Sequence, residues 1–410
     1  METMYLAKWL LTETMDLIEN GAVVINDEKI VSVGPRSWVK RSNSARIVNL
    51  GDVLLMPGLI NMHTHLDASA VRGNFRPHDE TFAAWNAKLS SRIKMTPAVQ
   101  LQSSIKLTIR ELIANGVTTI VDTTRSGLSK EILQQEPVRS WVIQELYCDD
   151  IVKETALIDD CISLLHDHKH SIVSSGIGPY APYSLSPDAQ KRVRLFAHDT
   201  QILWQTHLAE SAEELQAFSE KNGDLYFHMT RKNSWPFDLA PSGPVHYALQ
   251  CDMIPEDAVC VHCNYSAGNE LEQLAARNVS IVICHTYTHA TGHKHFPLDV
   301  ALKRNCNICI GTEGIASHGD LSIFDELFAL KQSYPHIHAR DFIRMATINS
   351  AKALNAHEKL GSISEGKYAD FIAVRFAYSQ GEDLLETLLV EEPEIVLSVI
   401  NGDEIIAGYS

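Results

Sequence analysis

Residues 57–67 read Pro-Gly-Leu-Ile-Asn-Met-His-Thr-His-Leu-Asp, PGLINMHTHLD. An apolar, strand-like run reaches this stretch from Leu54 and extends to Ile60, and two histidines, His63 and His65, lie just beyond it. In an extended chain, residues two apart point the same way, so both imidazoles can face one point. Alone, His-x-His reads equally well as two surface histidines. The rest of the chain decides between these readings.

Further runs of the same type follow at Thr118–Asp122, Val142–Leu146, Ile172–Ile177, Ile202–Gln205, Ala258–Val261, Val279–Ile283 and Asn307–Ile310. Between them lie stretches such as PAVQLQSSIKLTIRELIANG (97–116), with apolar residues three to four apart and a closing glycine, the pattern of a helix. Eight strands alternating with helices predict a parallel α/β sheet, and that number predicts a closed (β/α)8 TIM barrel. The chain ends read differently. Residues 19–34, with a turn at Asn26-Asp27-Glu28, alternate like hairpin strands, and so do 361–374 and 395–408. Termini often lie close together. Residues 1–56 and 358–410 are therefore expected to form one small discontinuous β-sandwich domain, flanking a barrel of residues 57–357.

The 410 residues carry a formal charge of −16, from 35 Lys and Arg against 51 Asp and Glu. That balance argues against nucleic acid or an anionic membrane as a partner, since both favour basic surfaces. No run approaches the roughly 20 apolar residues of a membrane span. The opening METMYLAKWLLTETMD lacks the basic start and small-residue cleavage site of a signal peptide. The eight cysteines are scattered, several in strand-like runs, as expected of buried, reduced thiols in a cytoplasmic protein. Cys260-x-x-Cys263 and Cys306-x-x-Cys309 would point to opposite faces of an extended strand, which argues against a redox or metal pair at either.

In barrels of this kind the catalytic groups stand at the C-terminal ends of the strands. His63 and His65 follow the first strand there. The fifth run, QILWQTHLAES, places His207 likewise, with Glu210 three residues on. The sixth, AVCVHCNY, ends in His262, and the eighth, CNICIGTEG, in Glu313. Two or three imidazoles and a carboxylate with an open position suit a catalytic divalent metal, zinc by default, with iron(II) as the alternative. Such an ion lowers the pKa of a bound water toward about 7. A carboxylate at the ion can then take the water proton, while Glu210 protonates the substrate. The fourth run continues as GIGPYAPYSLS without a lysine, which argues against a two-metal site bridged by carbamylated lysine.

With these residues in view, the chain resembles the amidohydrolase superfamily. PGLINMHTHLDAS, THLAESAEE, VHCNYS and GTEGIASH fall in order at typical separations, and GSISEGKYADFIAV and VLSVINGDEII resemble the family's closing β-sandwich segments. Within the superfamily it is similar to the mononuclear deaminases and chlorohydrolases. YLAKWLL, TFAAW (81–85), IRELIANGVTTIVDTT (109–124) and GHKHFPLDVAL (292–302) resemble aminodeoxyfutalosine deaminases most. The resemblance implies a hydrolytic deaminase of an adenine-type nucleoside, in which hydroxide at one metal ion attacks the aminated ring carbon and ammonia leaves. A hydrolase of another aminated or halogenated heterocycle (guanine, cytosine or triazine type) is the alternative, and a weakly active binding relative another. Carried over by position, His63, His65 and His207 match the metal histidines. Glu210 matches the glutamate that shuttles a proton, and His262 matches the histidine that contacts water and substrate. Relatives suggest a homodimer acting on a small heterocyclic molecule.

Three positions depart from the family pattern. Glu313 stands where the family has aspartate, as a metal ligand, as a base on the water, or as both. Tyr180 stands where relatives usually have histidine, and CHTYTHA (284–290) replaces the common Cys-Pro. Tyr180, Trp85 and His293 are candidates for substrate contact. Asp122 reads as structural, and His295 and His318 as loop residues.

Overall fold

The computed structural model describes residues 1–73, 80–148, 150–166, 172–232, 243–315, 321–378, 381, 383–390 and 392–408. The chain begins with strands β1 (Glu2–Leu11), β2 (Leu17–Asn26), β3 (Lys29–Pro35), β4 (Arg46–Asn49) and β5 (Leu54–Pro57). Eight strands follow, separated by helical segments: β6 (Leu59–Thr64), β7 (Val117–Thr124), β8 (Arg139–Leu146), β9 (Val173–Pro179), β10 (Leu203–Leu208), β11 (Val259–His262), β12 (Ser280–Ile283) and β13 (Asn307–Ile310). The chain closes with β14 (Phe371–Arg375), β15 (Glu394–Ile400) and β16 (Asp403–Ala407).

Strands β6 to β13 pair in sequence order, each parallel to the next. The barrel closes just past β13. Thr312 and Glu313 donate their backbone N–H groups to the His63 carbonyl at 3.0 and 3.1 Å, and Glu313 makes an isolated parallel bridge with Thr64. Gly311 permits this approach, because a Cβ there would stand 2.8 Å from Val282 Cγ1 and 2.9 Å from His63 Cβ. The closing seam therefore delivers Glu313 beside His63.

The remaining strands form one mixed sheet, in the order β16-β15-β14-β5-β1-β2-β3, with β4 beside β1. Both chain ends contribute, as the alternating patterns predict. The sheet's two faces pack differently. Leu55, Phe371, Ala373 and Val399 join Tyr5 and Val23 in a cluster of their own, while Leu54, Met56, Ile372 and Val374 belong to the main cluster that includes the barrel residues. Arg139, at the start of β8, ties the two parts together. Its guanidinium holds Asp370 at 2.7 and 3.3 Å and the Asn401 side chain at 2.9 Å.

Four sequence expectations change. The run Leu54–Ile60 is two strands. Proline at position 57 has no N–H to continue a ladder, so β5 pairs with β1 and β14 while β6 starts the barrel. His63 consequently lies inside β6 rather than beyond it. Of residues 361–374 only the last four, from Phe371, are strand, while 361–370 are bends, a turn and irregular backbone with one bridge from Tyr368 to Lys29. The opening residues, assigned to the end domain without a strand of their own, form the ten-residue strand β1, which pairs with β2, β4 and β5. The hairpin at 395–408 turns through Asn401 and Gly402, both at positive φ, as a two-residue connection requires. Among the described residues, no helix is long and apolar enough to cross a membrane.

Candidate metal centre and active site

Strand β6 presents His63 and β10 presents His207, while His65 follows β6. Each ring has one nitrogen fixed by an oxygen that can only accept. His63 Nδ1 lies 2.8 Å from Gln205 Oε1, His65 Nδ1 2.9 Å from the Thr123 carbonyl, and His207 Nδ1 2.9 Å from the Tyr180 carbonyl. Nδ1 therefore carries the proton in all three, and the Nε2 lone pair is left as the donor to an ion. The Nε2 atoms converge: His207 stands 3.2 Å from His63 and 3.4 Å from His65. Two lone pairs cannot hydrogen-bond to each other, so this convergence calls for a cation between them.

Glu313 completes the set. Its Oε2 lies 2.8 Å from His63 Nε2, and its Oε1 lies 3.3 Å from His65 Nε2. One donor atom from each of His63, His65, His207 and Glu313 lies within 4.8 Å of all the others, the span of a single ion's ligands. The local field favours positive charge as well. Burial lowers the proton affinity of His63, and it opposes protonation of His65 too. At His65, however, the charges of Glu313, Glu145 and Asp122 prevail and raise the pKa to about 9. Burial would keep Glu313 neutral, but His63 and His65 outweigh it and hold the carboxylate well below its usual range.

The side chains that reach the substrate side line a cavity of about 510 Å³. His65, Glu313, Glu210, Tyr180 and Tyr287 stand on its wall, and Phe82, Trp85, Leu89 and Ile93, all from the helix Phe82–Met95, supply an apolar face. That helix starts where it does because Glu213 accepts the N–H groups of Phe82 and Ala83 at 2.6 and 3.0 Å. Glu210 follows a left-handed turn at Ala209, with the Glu214 carboxylate holding the Ala209 and Glu210 N–H groups at 3.2 and 2.8 Å. Burial raises the pKa of Glu210, which favours the protonated acid, and Tyr287 donates its hydroxyl to Glu210 Oε1 at 2.6 Å. His262 is fully buried, with Nε2 3.5 Å from Glu313 Oε2 and 3.7 Å from Glu210 Oε1.

Among the candidates for substrate contact, Trp85 and Tyr180 line the cavity. The Tyr180 hydroxyl accepts from Asn86 Nδ2 at 2.6 Å. His293 is not among the lining residues. Its ring packs 4.9 Å from that of Phe82 and 6.3 Å from that of Tyr287, behind the wall. Asp122 accepts the Leu66 N–H at 2.8 Å and so fixes the turn after His65. His295 is exposed, His285 donates to or accepts from Ser333 at 2.9 Å, and His318 lies outside the described residues. The left-handed backbone at His262 and Cys263 interrupts the strand alternation there, and the neighbouring Cys260 together with burial pushes the Cys263 thiol well up. All eight cysteines are free, and six are buried.

Several site residues carry no mark of their own in the sequence. Gln205 and Thr123 hold His63 and His65, and strand alternation could have found Gln205, two residues before His207 and on the same face. Glu145 ends β8 in the position typical of these acids. Buried, and ion-paired with Arg125, it also stands 3.7 Å from His207 Nδ1. Tyr287 comes from the helix His285–Ala290, whose sequence gives no hint that its hydroxyl meets Glu210.

A model of the amidohydrolase family matches residues 54–404. A 5-methylthioadenosine/S-adenosylhomocysteine deaminase of Saccharophagus degradans is 27% identical over 399 residues, covering 91% of this chain and 83% of that protein. In structure the chain is similar to Helicobacter pylori aminofutalosine deaminase in complex with methylthio-coformycin, with a TM-score of 0.86 and 21% identity, over 98% of this chain and 100% of that one. It is also similar to an adenosine deaminase from Xanthomonas campestris with bound zinc, with a TM-score of 0.83 and 20% identity, over 99% and 93% of the two chains. The family match runs through the barrel and into the closing strands of the end sheet, and the chain belongs to the amidohydrolase family.

Proposed function

We propose that this protein is a hydrolytic deaminase of an adenine-type nucleoside that depends on one divalent ion, zinc before iron(II). One observation carries the reading. Three imidazoles with fixed Nδ1 protons and the Glu313 carboxylate face one point, and the buried acid Glu210 stands on the wall of the same cavity. The deaminase names of the relative and of the two structural neighbours support the substrate class.

His63, His65, His207 and Glu313 would hold the ion, which supplies Lewis acidity and brings the pKa of a water toward about 7. The protein's own groups do the rest. Glu313, held ionised, takes the proton of the attacking water. Glu210, favoured as the acid, delivers a proton to the adenine ring nitrogen as the water oxygen bonds to the aminated carbon. Glu313 then passes the water proton to the amino group, the carbon–nitrogen bond breaks and ammonia leaves, while the new hydroxyl gives its proton back to Glu210 as the ring carbonyl forms. His262, beside both acids, orients the water and the developing charge. Trp85 and Tyr180 border the substrate, and the apolar helix face excludes water. The same reading sets the barrel at residues 57–357 and leaves 1–56 and 358–410 to the end domain. Its buried free thiols suit the cytoplasm.

Ammonia release from a panel of 5′-substituted adenosines, guanine, cytosine and aminotriazines tests the reading. Release is expected from adenine nucleosides and at most weakly from the others, and no release from any adenosine would refute it. Glu210→Gln keeps the shape and removes the acid. Its kcat/KM is expected to fall by about 10²–10³-fold, with bound metal unchanged by elemental analysis.

A further inference from the structure

We propose that His262, Cys284 and Glu313 form a second cation site beside the first, which takes a soft divalent ion such as zinc or cadmium and shares Glu313 with it. One donor atom from each of these three buried residues lies within 4.8 Å of the other two. His262 is the odd one among the four site histidines. The other three have Nδ1 fixed, whereas neither ring nitrogen of His262 has a hydrogen-bond partner among the described residues, and its side chain is 0% exposed. Burying an imidazole with neither nitrogen hydrogen-bonded is costly, and the nearest groups to Nε2 are the Glu313 and Glu210 carboxylates at 3.5 and 3.7 Å. A ligand bond to an ion would relieve one of the two nitrogens.

Glu313 makes the sharing possible. The same atom, Oε2, stands 2.8 Å from His63 Nε2 and 3.5 Å from His262 Nε2, so one carboxylate faces both sets of donors. Cys284, at the end of β12, brings a thiol to the second set, and sulfur biases that set toward soft ions over magnesium or calcium. On binding, the S–H bond breaks, the sulfur lone pair goes to the ion and the proton leaves to solvent, so no oxidant is involved. This bridge uses the carboxylate just past β13, which accords with the absence of a lysine at the end of β9. Because the site ties up His262, a second ion is also expected to inhibit turnover, a consequence that alone rests on the proposed deaminase activity.

Cobalt(II) titrated into protein that carries one equivalent of zinc tests the site without recourse to activity. A sulfur-to-cobalt charge-transfer band in the near ultraviolet is expected to grow to one equivalent while the zinc stays bound. Cys284→Ser is expected to lose the band and to bind the added cobalt on the order of 10²-fold more weakly, with its own equivalent of zinc retained as proof of folding. Cys284→Ala serves the same purpose should the serine variant fail that check. Absence of the band in the unmodified protein, its survival in the Cys284 variants, or its growth in step with zinc release would each overturn the proposal. Suppression of ammonia release by excess zinc, relieved in Cys284→Ser, is the functional counterpart. The cobalt result stands even if no nucleoside is deaminated.

Discussion

His207→Ala is expected to lower kcat/KM for the adenine nucleoside by about 10⁴-fold or more and to reduce the retained metal well below one equivalent. In the proposed centre His207 would be the central ligand, since its Nε2 is close to those of both His63 and His65. Removing it leaves two imidazoles and Glu313, and a structural or catalytic zinc is ordinarily held by three or four protein donors. Without the ion, water returns toward its own pKa of about 15.7 from about 7, and that gap of almost nine powers of ten far exceeds what one general base restores. The remaining rate would come from Glu210 and from binding. The fold should survive, because the ring is held by the Tyr180 carbonyl at Nδ1, while the neighbouring β10–β11 ladder is backbone. Elemental analysis of the purified variant, ammonia release and a thermal melt decide the matter together. Full metal occupancy with activity within tenfold of the original would remove His207 from the centre.

What could be read in the chain follows from which forces are local. The eight barrel strands and the helix 97–116 announce themselves through apolar period and end signals, and His63, His207, His262 and Glu313 mark strand ends because polar ligands interrupt apolar runs. The seam between Pro57 and Leu59 was hidden, since one apolar run feeds two sheets and only the missing proline N–H separates them. β1 was hidden because its pairing partners, β2, β4 and β5, come from three later segments, and pairing is a tertiary fact. Tyr287 and Gln205 serve the site by reaching across the barrel, a distance of 77 residues to Glu210 and 142 to His63. Strand alternation sets Gln205 on the His207 face, but nothing local records which partner either side chain reaches. The left-handed backbone at His262 and Glu313 was equally invisible. Histidine enters this region more readily than most residues, but glutamate does not, so at Glu313 the surrounding barrel must impose it, as is common where a fold spends stability on function.

Glu313 gives the second large effect, and the two substitutions that probe it separate charge from reach. Glu313→Gln keeps the length and removes the charge, the ligand strength and the base together. A fall of about 10³–10⁴-fold in kcat/KM is expected, within the range of a lost general base and at its upper end because the ion is weakened too. Glu313→Asp keeps the charge and withdraws the carboxylate by one methylene. The position is at φ +56°, where aspartate is tolerated better than most residues, so the backbone does not oppose the change. Any loss then measures reach. The Glu313 oxygens now stand 2.8 and 3.3 Å from the imidazoles of His63 and His65. Drawing them back by roughly 1 Å is expected to cost about 10²-fold. Steady-state kinetics with metal content measured on the same samples checks both values. An aspartate variant faster than the original would mean that the family's shorter acid fits this centre better, and that Glu313 restrains the site instead of completing it.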